Sequence, residues 1–381
     1  MRIAAITNSR IPSLTANSIQ AMKVCQALVQ LGHNVHILAP RETDVVSPDL
    51  LREHYGLRIS PDLELLPSIR RLKRFDFILH AQSAARKFEA DLIYTWLPQS
   101  AVMALWRGYP VILEMHADVT GHLGPWWLRQ FWKARGRKRM TVTTQALRKA
   151  MQRSAGFIIP DGGGFENEAV IVAPNGVDLE RYENLPDPSS ARRQLNFKDG
   201  LTVGFTGHIY PGRGADLLFE LAKQMPQVNF LWVGGTPDLV LYWQSRLSDA
   251  QLTNVMMTGF IEHSRIPLYQ AAADVLLMPY GRSISASSGQ DIAEVINPMK
   301  MFEYMASGRA IASADLPVIR EVLNEKNAVF CEPGNVNEWK SLIESLLADE
   351  KRRTALGAQA RKDVERYTWT ERARRILDGF A

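Results

Sequence analysis

The fold is decided by residues 1–40, whose sequence is MRIAAITNSRIPSLTANSIQAMKVCQALVQLGHNVHILAP. Arg2 to Thr7 is an apolar run typical of a buried strand, and a helix is predicted from about Asn17 to Leu31. Gly32 ends this helix, and Asn34 to Ala39 is the next buried strand. Strand, helix, glycine and strand in this order predict a right-handed parallel βαβ unit, which is how a doubly wound sheet begins.

The first predicted helix has the periodicity of an amphipathic helix, with Asn17 or Ser18 as its N-cap. The apolar residues that share one side are Met22, Cys25, Leu28 and Val29. The polar residues that share the other side are Gln20, Lys23, Gln26 and Gln30. We therefore expect one buried and one solvent-facing side.

Strands and helices alternate along the rest of the chain. Further strand candidates in the first half are Leu92–Thr95, Val111–Met115, Thr141–Thr144 and Val170–Ala173. A second βαβ series supplies Thr202–Thr206, Asn229–Val233, Val255–Thr258, Val275–Pro279, Ala310–Ser313 and Ala328–Cys331. Pro174 to Asp178 is turn-forming and separates the two series. The sequence predicts an α/β protein with two doubly wound Rossmann-like domains, at residues 1–178 and 179–366.

Composition is that of an ordinary globular protein, with 46% hydrophobic and 22% charged residues. A length of 381 residues suits two domains, and the cleft between two domains is a common ligand site. Cys25 and Cys331 are too few for a disulfide framework, so we expect a cytoplasmic protein. The chain enters an apolar strand at once, unlike a signal peptide, and its longest apolar stretch is too short to span a bilayer. The net charge of +5 favours anionic partners.

The segment NPMKMFEYMASG, residues 297–308, predicts a short helix with both ends specified. Asn297 suits the N-cap, Pro298 the first helical position and Gly308 the C′ position. Free backbone N–H groups near Met299 and Lys300, together with the Lys300 ammonium, predict an anion site.

Glu303 follows Lys300 by three residues, so both side chains can lean toward one face of the predicted helix. An ionised carboxylate accepts hydrogen bonds from two vicinal hydroxyls, so a diphosphate followed by a diol, as in a nucleotide, would fit. The alternative is a surface helix with an ion pair between these two residues.

A second candidate anion site is the loop GHIYPGRG, residues 207–214, between a predicted strand and a helix. Its glycines permit close backbone approach to a phosphate, and Arg213 adds a forked cationic donor. The alternative is a solvated loop arginine. The loop of residues 8–16 after the first strand has no glycine, which argues against a dinucleotide-binding fingerprint.

His116 follows the predicted strand Val111–Met115, so it lies at the carboxyl edge of the first sheet and can face the cleft. The alternative is a structural histidine hydrogen-bonded to a neighbouring carboxylate, of which Glu114 and Asp118 are close in sequence. His, Cys and Asp nowhere show metal-ligand spacing, so no metal is expected.

Aromatic and basic residues alternate between positions 126 and 139. The aromatic residues are Trp126, Trp127, Phe131 and Trp132, and the basic residues are Arg129, Lys133, Arg135, Arg137, Lys138 and Arg139. This pattern suits a helix on an anionic membrane or a site for a lipid-phosphate acceptor, and also suits a buried aromatic face with a solvated basic back. A second basic cluster is RRLKR, residues 70–74, but no nucleic-acid-reading module accompanies the charge, so no nucleic-acid partner is expected.

The chain resembles GT-B-fold glycosyltransferases of the retaining family-4 type, also called glycosyl transferases group 1. The segments that carry the resemblance are Gly204–His208 with Arg213-Gly214, Phe230–Gly235, Tyr269–Pro279, Lys300–Gly308 and Ala310–Pro317. Pro174–Asp178 resembles the family's interdomain boundary. Tyr367-Thr368-Trp369 and the last helix resemble its C-terminal crossover, which assigns residues 367–381 to the first domain.

The resemblance implies a UDP- or GDP-sugar donor bound by the second domain, without a cofactor or metal. Glu303 would hold the ribose, Arg213 and Lys300 the diphosphate, and Phe260 and Ile261 would border the base. The remaining donor-site residues implied are Gly207, His208, Asn297, Pro298 and Met299. His116 would lie near the reacting sugar, and transfer to a glycan or lipid-linked acceptor would retain the anomeric configuration.

Two positions depart from the family pattern. The family's paired glutamates are separated by seven residues, which from Glu303 points to Val295, and valine cannot accept a hydrogen bond from a sugar hydroxyl. Glu294 is the first candidate to replace that glutamate, and Asp291 is the second. His208 stands where the family often has arginine. Rival interpretations are therefore a catalytically idle nucleotide- or glycan-binding protein and a sugar-nucleotide epimerase on the same fold.

Overall fold

A computed structural model describes residues 1–42, 46–72, 74–116, 124–154, 170–286 and 289–380. The chain forms two compact units. Unit 1 is Met1–Asn175 together with Trp369–Ala381, and unit 2 is Gly176–Thr368.

The secondary structure alternates between strands and helices, as the sequence pattern predicts. The strands are β1 (Arg2–Ile6), β2 (Asn34–Pro40), β3 (Asp62–Leu66), β4 (Leu92–Thr95), β5 (Val111–Met115), β6 (Lys138–Val142), β7 (Val170–Val172), β8 (Thr202–Thr206), β9 (Asn229–Val233), β10 (Val255–Met257), β11 (Val275–Met278), β12 (Ala310–Ala314) and β13 (Val329–Cys331). The helices are α1 (Ala16–Gln30), α2 (Pro48–Tyr55), α3 (Phe75–Lys87), α4 (Pro98–Trp106), α5 (Gly124–Lys133), α6 (Gln145–Ser154), α7 (Pro188–Gln194), α8 (Ala215–Gln224), α9 (Pro237–Asp249), α10 (Ile266–Ala271), α11 (Met299–Ser307), α12 (Val336–Ala348), α13 (Glu350–Asp363) and α14 (Trp369–Leu377).

Unit 1 is built on a parallel sheet with the strand order β3-β2-β1-β4-β5-β6-β7. β3 was not predicted, because the polar residues Asp62 and Glu64 interrupt its apolar run. Both residues are exposed, as is usual for a strand at the edge of a sheet. β6 begins at Lys138 rather than Thr141, so Lys138 and Arg139 are strand residues.

α1 departs from the predicted amphipathic helix. It begins at Ala16 with Thr15 as N-cap, so the expectation of Asn17 or Ser18 as the cap is wrong. Gln20, Lys23 and Gln26, expected to face solvent, are at most 2% exposed. α1 packs against β2, α2 and α14, so the expected solvent-facing side is buried. The buried polar groups are satisfied: the Lys23 ammonium donates to the carbonyl of Gly56 at 2.8 Å, and the Gln26 side chain accepts from the backbone N–H of Arg58 at 2.6 Å.

Unit 2 is built on a second parallel sheet, with the order β10-β9-β8-β11-β12-β13. The strand order reverses between β8 and β11, and ligands of doubly wound sheets bind outside the carboxyl ends of the strands at such a point. Residues 207–214 follow β8, and α11 follows β11 in the chain. Both predicted anion sites therefore lie at this reversal. The predicted fold class, two doubly wound Rossmann-like sheets, is confirmed.

Candidate functional site

α11 is a buried helix. Its C-terminal end is where the sequence predicted it, but its N-terminal end is not. Pro298 is its N-cap residue in an extended conformation (φ −75°, ψ 129°), and the Pro298 side chain makes no capping hydrogen bond. The expectation that Asn297 is the cap and Pro298 the first helical residue is therefore wrong. Gly308 ends the helix in the left-handed conformation, as predicted (φ 67°). Every residue from Lys300 to Ser307 is buried, which rules out the alternative of a surface helix.

The loop of residues 207–214 needs its glycines because other backbone segments lie against it. A Cβ on Gly212 would come within 1.9 Å of the Ser283 carbonyl oxygen, and a Cβ on Gly214 within 2.2 Å of the Pro279 carbonyl oxygen. Both glycines have φ in the left-handed region, at 77° and 94°. Gly207 has φ 123°, and a Cβ there would lie 3.1 Å from the Lys300 side chain. The glycine loop after β8 thus packs directly against Lys300.

Lys300 is a buried lysine that forms no salt bridge with a carboxylate in the described part of the chain. Its side chain is 9% exposed, and its Nζ lies 3.7 Å from the centre of the Phe205 ring and 5.4 Å from that of Tyr280. No described residue accepts a hydrogen bond from this Nζ. Burial, followed by the nearby charge of Arg213, holds the pKa of Lys300 well below its usual value. Aromatic faces attract the ammonium but cannot replace its lost hydration, so an anion bound here would supply what the site lacks.

Arg213 is the second cation of this site. One of its terminal nitrogens donates a long hydrogen bond of 3.4 Å to the Ser285 carbonyl, while its Nε has no acceptor among the described residues. The salt bridges of the described residues include neither Arg213 nor Lys300. Two neighbouring basic side chains that repel each other and form no salt bridge are an arrangement suited to a phosphate or diphosphate.

Glu303 lies one turn beyond Lys300 on α11 and is held by side chains from other elements. His263 Nε2 lies 2.8 Å from Glu303 Oε1, and Gln270 Nε2 donates to Oε2 at 3.3 Å. Burial alone would raise the pKa of this carboxyl, but the hydrogen bond from His263, the charge of Arg181 and the hydrogen bond from Gln270 lower the pKa to about 2. Glu303 is therefore ionised at neutral pH and keeps acceptor capacity beyond these two bonds.

The remaining predicted donor-site residues lie around this centre in unit 2. The His208 ring stacks on Tyr210, with centroids 4.9 Å apart and an interplanar angle of 12°. Phe260 is 42% exposed, whereas Ile261 packs against a buried cluster that includes Leu231 and Tyr269. The structure thus leaves the Phe260 ring accessible to a ligand and uses Ile261 mainly for packing.

The segment that precedes α11 separates the two candidates for the missing glutamate. Asp291 Oδ1 accepts hydrogen bonds of 3.0 Å from the backbone N–H groups of Ile284 and Ala293, so this carboxylate holds the loop together. Glu294 is exposed and lies in a turn next to Val295. Glu294 is accordingly the freer of the two carboxylates to reach a sugar.

His116 belongs to a buried polar cluster in unit 1. Its Nε2 lies 2.6 Å from Glu114 Oε1, so His116 is in contact with a neighbouring carboxylate. Glu114 is also bonded by Tyr94 and Gln20, and Arg372 donates to it at 2.6 and 3.3 Å from α14. Burial raises and the Arg372 charge lowers the pKa of Glu114, with a net decrease to about 2. The role of His116 near a reacting sugar stays a prediction, and Asp118 lies outside the described residues.

The aromatic and basic residues of positions 126–139 do not form one continuous surface. In α5, Trp127 and Phe131 are buried, while Trp126 is 41% exposed. Lys138 and Arg139 belong to β6; Lys138 donates to the carbonyls of Trp132 and Ala134, and Arg139 to those of Ile376 and Asp378. The other basic cluster, residues 70–74, contains Lys73, which is outside the described residues. Within the described segments, no helix has the length and hydropathy needed to cross a membrane.

Two family models match the chain. The model described as Glycosyl transferases group 1 matches residues 188–363, and the one described as Glycosyltransferase Family 4 matches residues 18–181. The chain belongs to the GT-B glycosyltransferases. The strands β8, β9, β11 and β12 and the helix α11 all lie within the first of these matches.

Individual relatives share only part of their length with this member of the family. TuaH of Bacillus subtilis, named for teichuronic acid biosynthesis, is 31% identical over 39% of this chain and 35% of its own length. D-inositol 3-phosphate glycosyltransferase of Xylanimonas cellulosilytica is 28% identical over 57% of this chain and 52% of its own length. The chain thus spans between a third and about half of the length of these relatives.

The similarity of fold extends over the whole chain. A crystal structure of Anabaena Alr3699/HepE in complex with UDP has a TM-score of 0.73, with 19% identity, and the match covers 100% of this chain and 99% of HepE. Similarity at this level of identity establishes the GT-B architecture, and the two sheets described above match it.

Three residues of this candidate site were not predicted from the sequence. His263 and Gln270 bond the carboxylate of Glu303, and Arg181 in turn contacts His263 at 3.0 Å. Gln270 was the detectable one, because a glutamine inside the apolar segment of residues 269–279 must find a polar partner when it is buried. His263 and Arg181 lie in loops 82 residues apart in the chain, and nothing local indicates that they meet.

Proposed function

We propose that this protein is a glycosyltransferase that moves a sugar from a nucleotide-sugar donor to a hydroxyl group of an acceptor. The observation that carries the proposal is the pair of basic side chains in unit 2, Lys300 and Arg213, which form no salt bridge among the described residues and each leave a buried nitrogen without a hydrogen-bond acceptor. The diphosphate of the donor binds between them. The ionised Glu303, one turn along α11, accepts hydrogen bonds from the ribose hydroxyls.

The proposed reaction breaks the bond between the anomeric carbon and the diphosphate oxygen and forms a bond between that carbon and the acceptor oxygen. The departing diphosphate gains negative charge, which Lys300, Arg213 and the N-terminus of α11 stabilise. The acceptor proton passes to the departing diphosphate. Attack on the same face retains the anomeric configuration, and the scheme needs neither metal nor cofactor.

UDP and GDP are the two nucleotides to consider. Crystal structures of HepE are described as complexes with UDP and with UDP and glucose, while relatives from Corynebacterium glutamicum and Mycolicibacterium smegmatis are named as GDP-mannose-dependent. The acceptor we propose is a glycan or a lipid-linked saccharide in polysaccharide biosynthesis, consistent with the name of TuaH. The net charge of +5 and the exposed Trp126 would support peripheral contact with an anionic membrane surface on the cytoplasmic side.

Calorimetry with UDP, GDP and their sugars tests the donor site. Arg213→Ala and Glu303→Ala should each lower the affinity for the preferred nucleotide by about 1–3 kcal/mol, the usual value for hydrogen bonds to charged groups. Arg282→Ala is the matched control, because Arg282 is 73% exposed in the same unit and pairs with Glu332. Equal affinities in the wild type, Arg213→Ala and Glu303→Ala would refute the proposal.

The presence of Val295 supports one competing function, a binding protein without turnover. Release of nucleotide from a donor sugar in the presence of candidate acceptors separates the two functions, because both predict the same nucleotide binding. An epimerase would convert the donor sugar without any acceptor. Binding without turnover across UDP- and GDP-sugars would favour the idle protein.

A further inference from the structure

Glu303 is connected to Arg181 through the side chain of His263. His263 lies in a short turn after β10, and its Nε2 approaches Glu303 Oε1 at 2.8 Å. Arg181, from the turn Leu179–Tyr182, contacts the other ring nitrogen of His263, with Nη1 3.0 Å from Nδ1. Its second terminal nitrogen donates to the His263 backbone carbonyl. The three side chains form a chain of contacts within unit 2.

The direction of the hydrogen bonds in this chain is fixed by arginine chemistry. A guanidinium group has only donors, so His263 Nδ1 must accept from Arg181 and carries no proton. The one ring proton is then on Nε2, where it is donated to Glu303. This arrangement holds His263 in a single tautomer, and the bond from Arg181 to the His263 carbonyl prevents the backbone from turning away.

The same contacts fix the rotation of the Glu303 carboxylate. His263 donates to one oxygen and Gln270 to the other, and the two side chains of the His263–Glu303 pair are only 15% and 11% exposed. A carboxylate has about four acceptor positions, so one position on each oxygen stays available. Because His263 and Gln270 hold the carboxylate in one rotation, these two acceptor positions point in fixed directions. Binding of a diol therefore costs less conformational entropy than binding to a freely rotating carboxylate.

We propose that His263, set in its Nε2–H tautomer by Arg181, is a positioning residue that orients Glu303 toward the two ribose hydroxyls and thereby makes the site select ribonucleotides over 2′-deoxyribonucleotides. The inference rests on the proposed function in one respect, namely that Glu303 faces the ribose. It adds a specificity that neither Glu303 nor the cations supply alone.

Calorimetry with UDP and 2′-deoxy-UDP, and with GDP and 2′-deoxy-GDP, tests this role in the wild type and two variants. His263→Gln preserves the pattern, since its amide N–H can donate to Glu303 while its carbonyl accepts from Arg181. His263→Leu can do neither. We expect the wild type to prefer the ribonucleotide at least tenfold, His263→Gln to keep most of this preference, and His263→Leu to bind both forms equally.

Inorganic pyrophosphate is the internal control, because it probes Lys300 and Arg213 without a ribose. Its affinity should be the same in all three proteins. Wild-type protein that binds neither pyrophosphate nor any of the nucleotides would refute the proposed function itself. Wild-type protein that binds UDP or GDP without preferring the ribose, or a His263→Leu variant that keeps the full preference, would overturn the role of His263 alone.

The tautomer can be checked independently of any variant. Nitrogen-15 NMR of histidine-labelled wild-type protein should show His263 with a protonated Nε2 and an unprotonated Nδ1 at neutral pH. A His263 ring protonated on both nitrogens, or on Nδ1 only, would contradict the proposed hydrogen-bond direction. The Nε2–H form together with ribose selection in His263→Gln would support it.

Discussion

Arg372→Met should destabilise unit 1 by roughly 3–5 kcal/mol, the usual loss when one partner of a buried ion pair is removed. Glu114 is 1% exposed, and among the described residues Arg372 is the one Arg or Lys whose side chain forms a salt bridge with it. The pKa of Glu114 is lowered from 4.5 to about 2, and at about 1.36 kcal/mol per pKa unit this corresponds to about 3 kcal/mol for the ionised form. Arg372 also donates to the carbonyls of Ala173 and Pro174, at 3.2 and 3.0 Å.

The pH dependence follows from the sign of that shift. Because the folded pKa of Glu114 lies below the unfolded value, its contribution is fully present above about pH 4.5 and is lost as the pH falls toward 2. In Arg372→Met the ionised carboxylate is no longer favoured. The free energy of unfolding of this variant should therefore change less than that of the wild type as the pH falls from about 4.5 toward 2.

Hydrogen exchange of peptides from β4 and β5 measures the effect, with unit 2 peptides as an internal reference. Arg374→Met on the same helix is the matched control; Arg374 is 58% exposed, and we expect a loss of about 0.5 kcal/mol or less. The double variant Glu114→Gln with Arg372→Met should be less destabilised than Arg372→Met alone, because no buried charge is left unpaired. Unchanged exchange in Arg372→Met, or a double variant that is worse than the single one, would refute the reasoning.

Gly212→Ala should reduce both the melting temperature and nucleotide affinity, because its Cβ would lie 1.9 Å from the Ser283 carbonyl oxygen; an unchanged melting temperature would contradict the described loop packing. An anion bound beside Lys300 should raise its lowered pKa, so pyrophosphate binding should be coupled to proton uptake; calorimetry in buffers of different ionisation enthalpy, over a range of pH, should show an uptake that Lys300→Met abolishes. Glu294→Ala should lower kcat/KM for the nucleotide sugar without changing the affinity for the bare nucleotide, and equal kcat/KM would exclude Glu294 as a sugar ligand. Co-sedimentation with anionic vesicles should decrease with salt and in Trp126→Ala; absence of binding at low salt would exclude the membrane contact.

The strands were predictable where apolar residues run without interruption. β4, β5, β8 and β9 have the predicted bounds because both faces of an inner strand in a parallel sheet are covered by helices. β3 could not be recognised in this way, because its alternation of polar and apolar residues is also compatible with an exposed loop. Whether a strand can be predicted from its own residues therefore depends on its position in the sheet, which the local sequence does not specify.

The part of the candidate site that lies within one short segment could be predicted from the sequence. Lys300 and Glu303 are three residues apart, so their proximity follows from helix geometry. The polar face of α1 shows the opposite case: Gln20 is buried because Glu114 and α14 lie beside it, and α14 begins about 350 residues later. His263 and Arg181 belong to this second class, in which only the tertiary structure brings the partners together.

The position of α14 in the chain has a consequence for the order of folding during synthesis. Unit 1 is assembled from two separate segments, whereas unit 2 is continuous. Glu114 therefore emerges from the ribosome more than 250 residues before Arg372, the cation that neutralises it. Domains usually fold in the order in which they are made. Here all of unit 2 has been synthesised before α14, the segment that supplies Arg372 to unit 1.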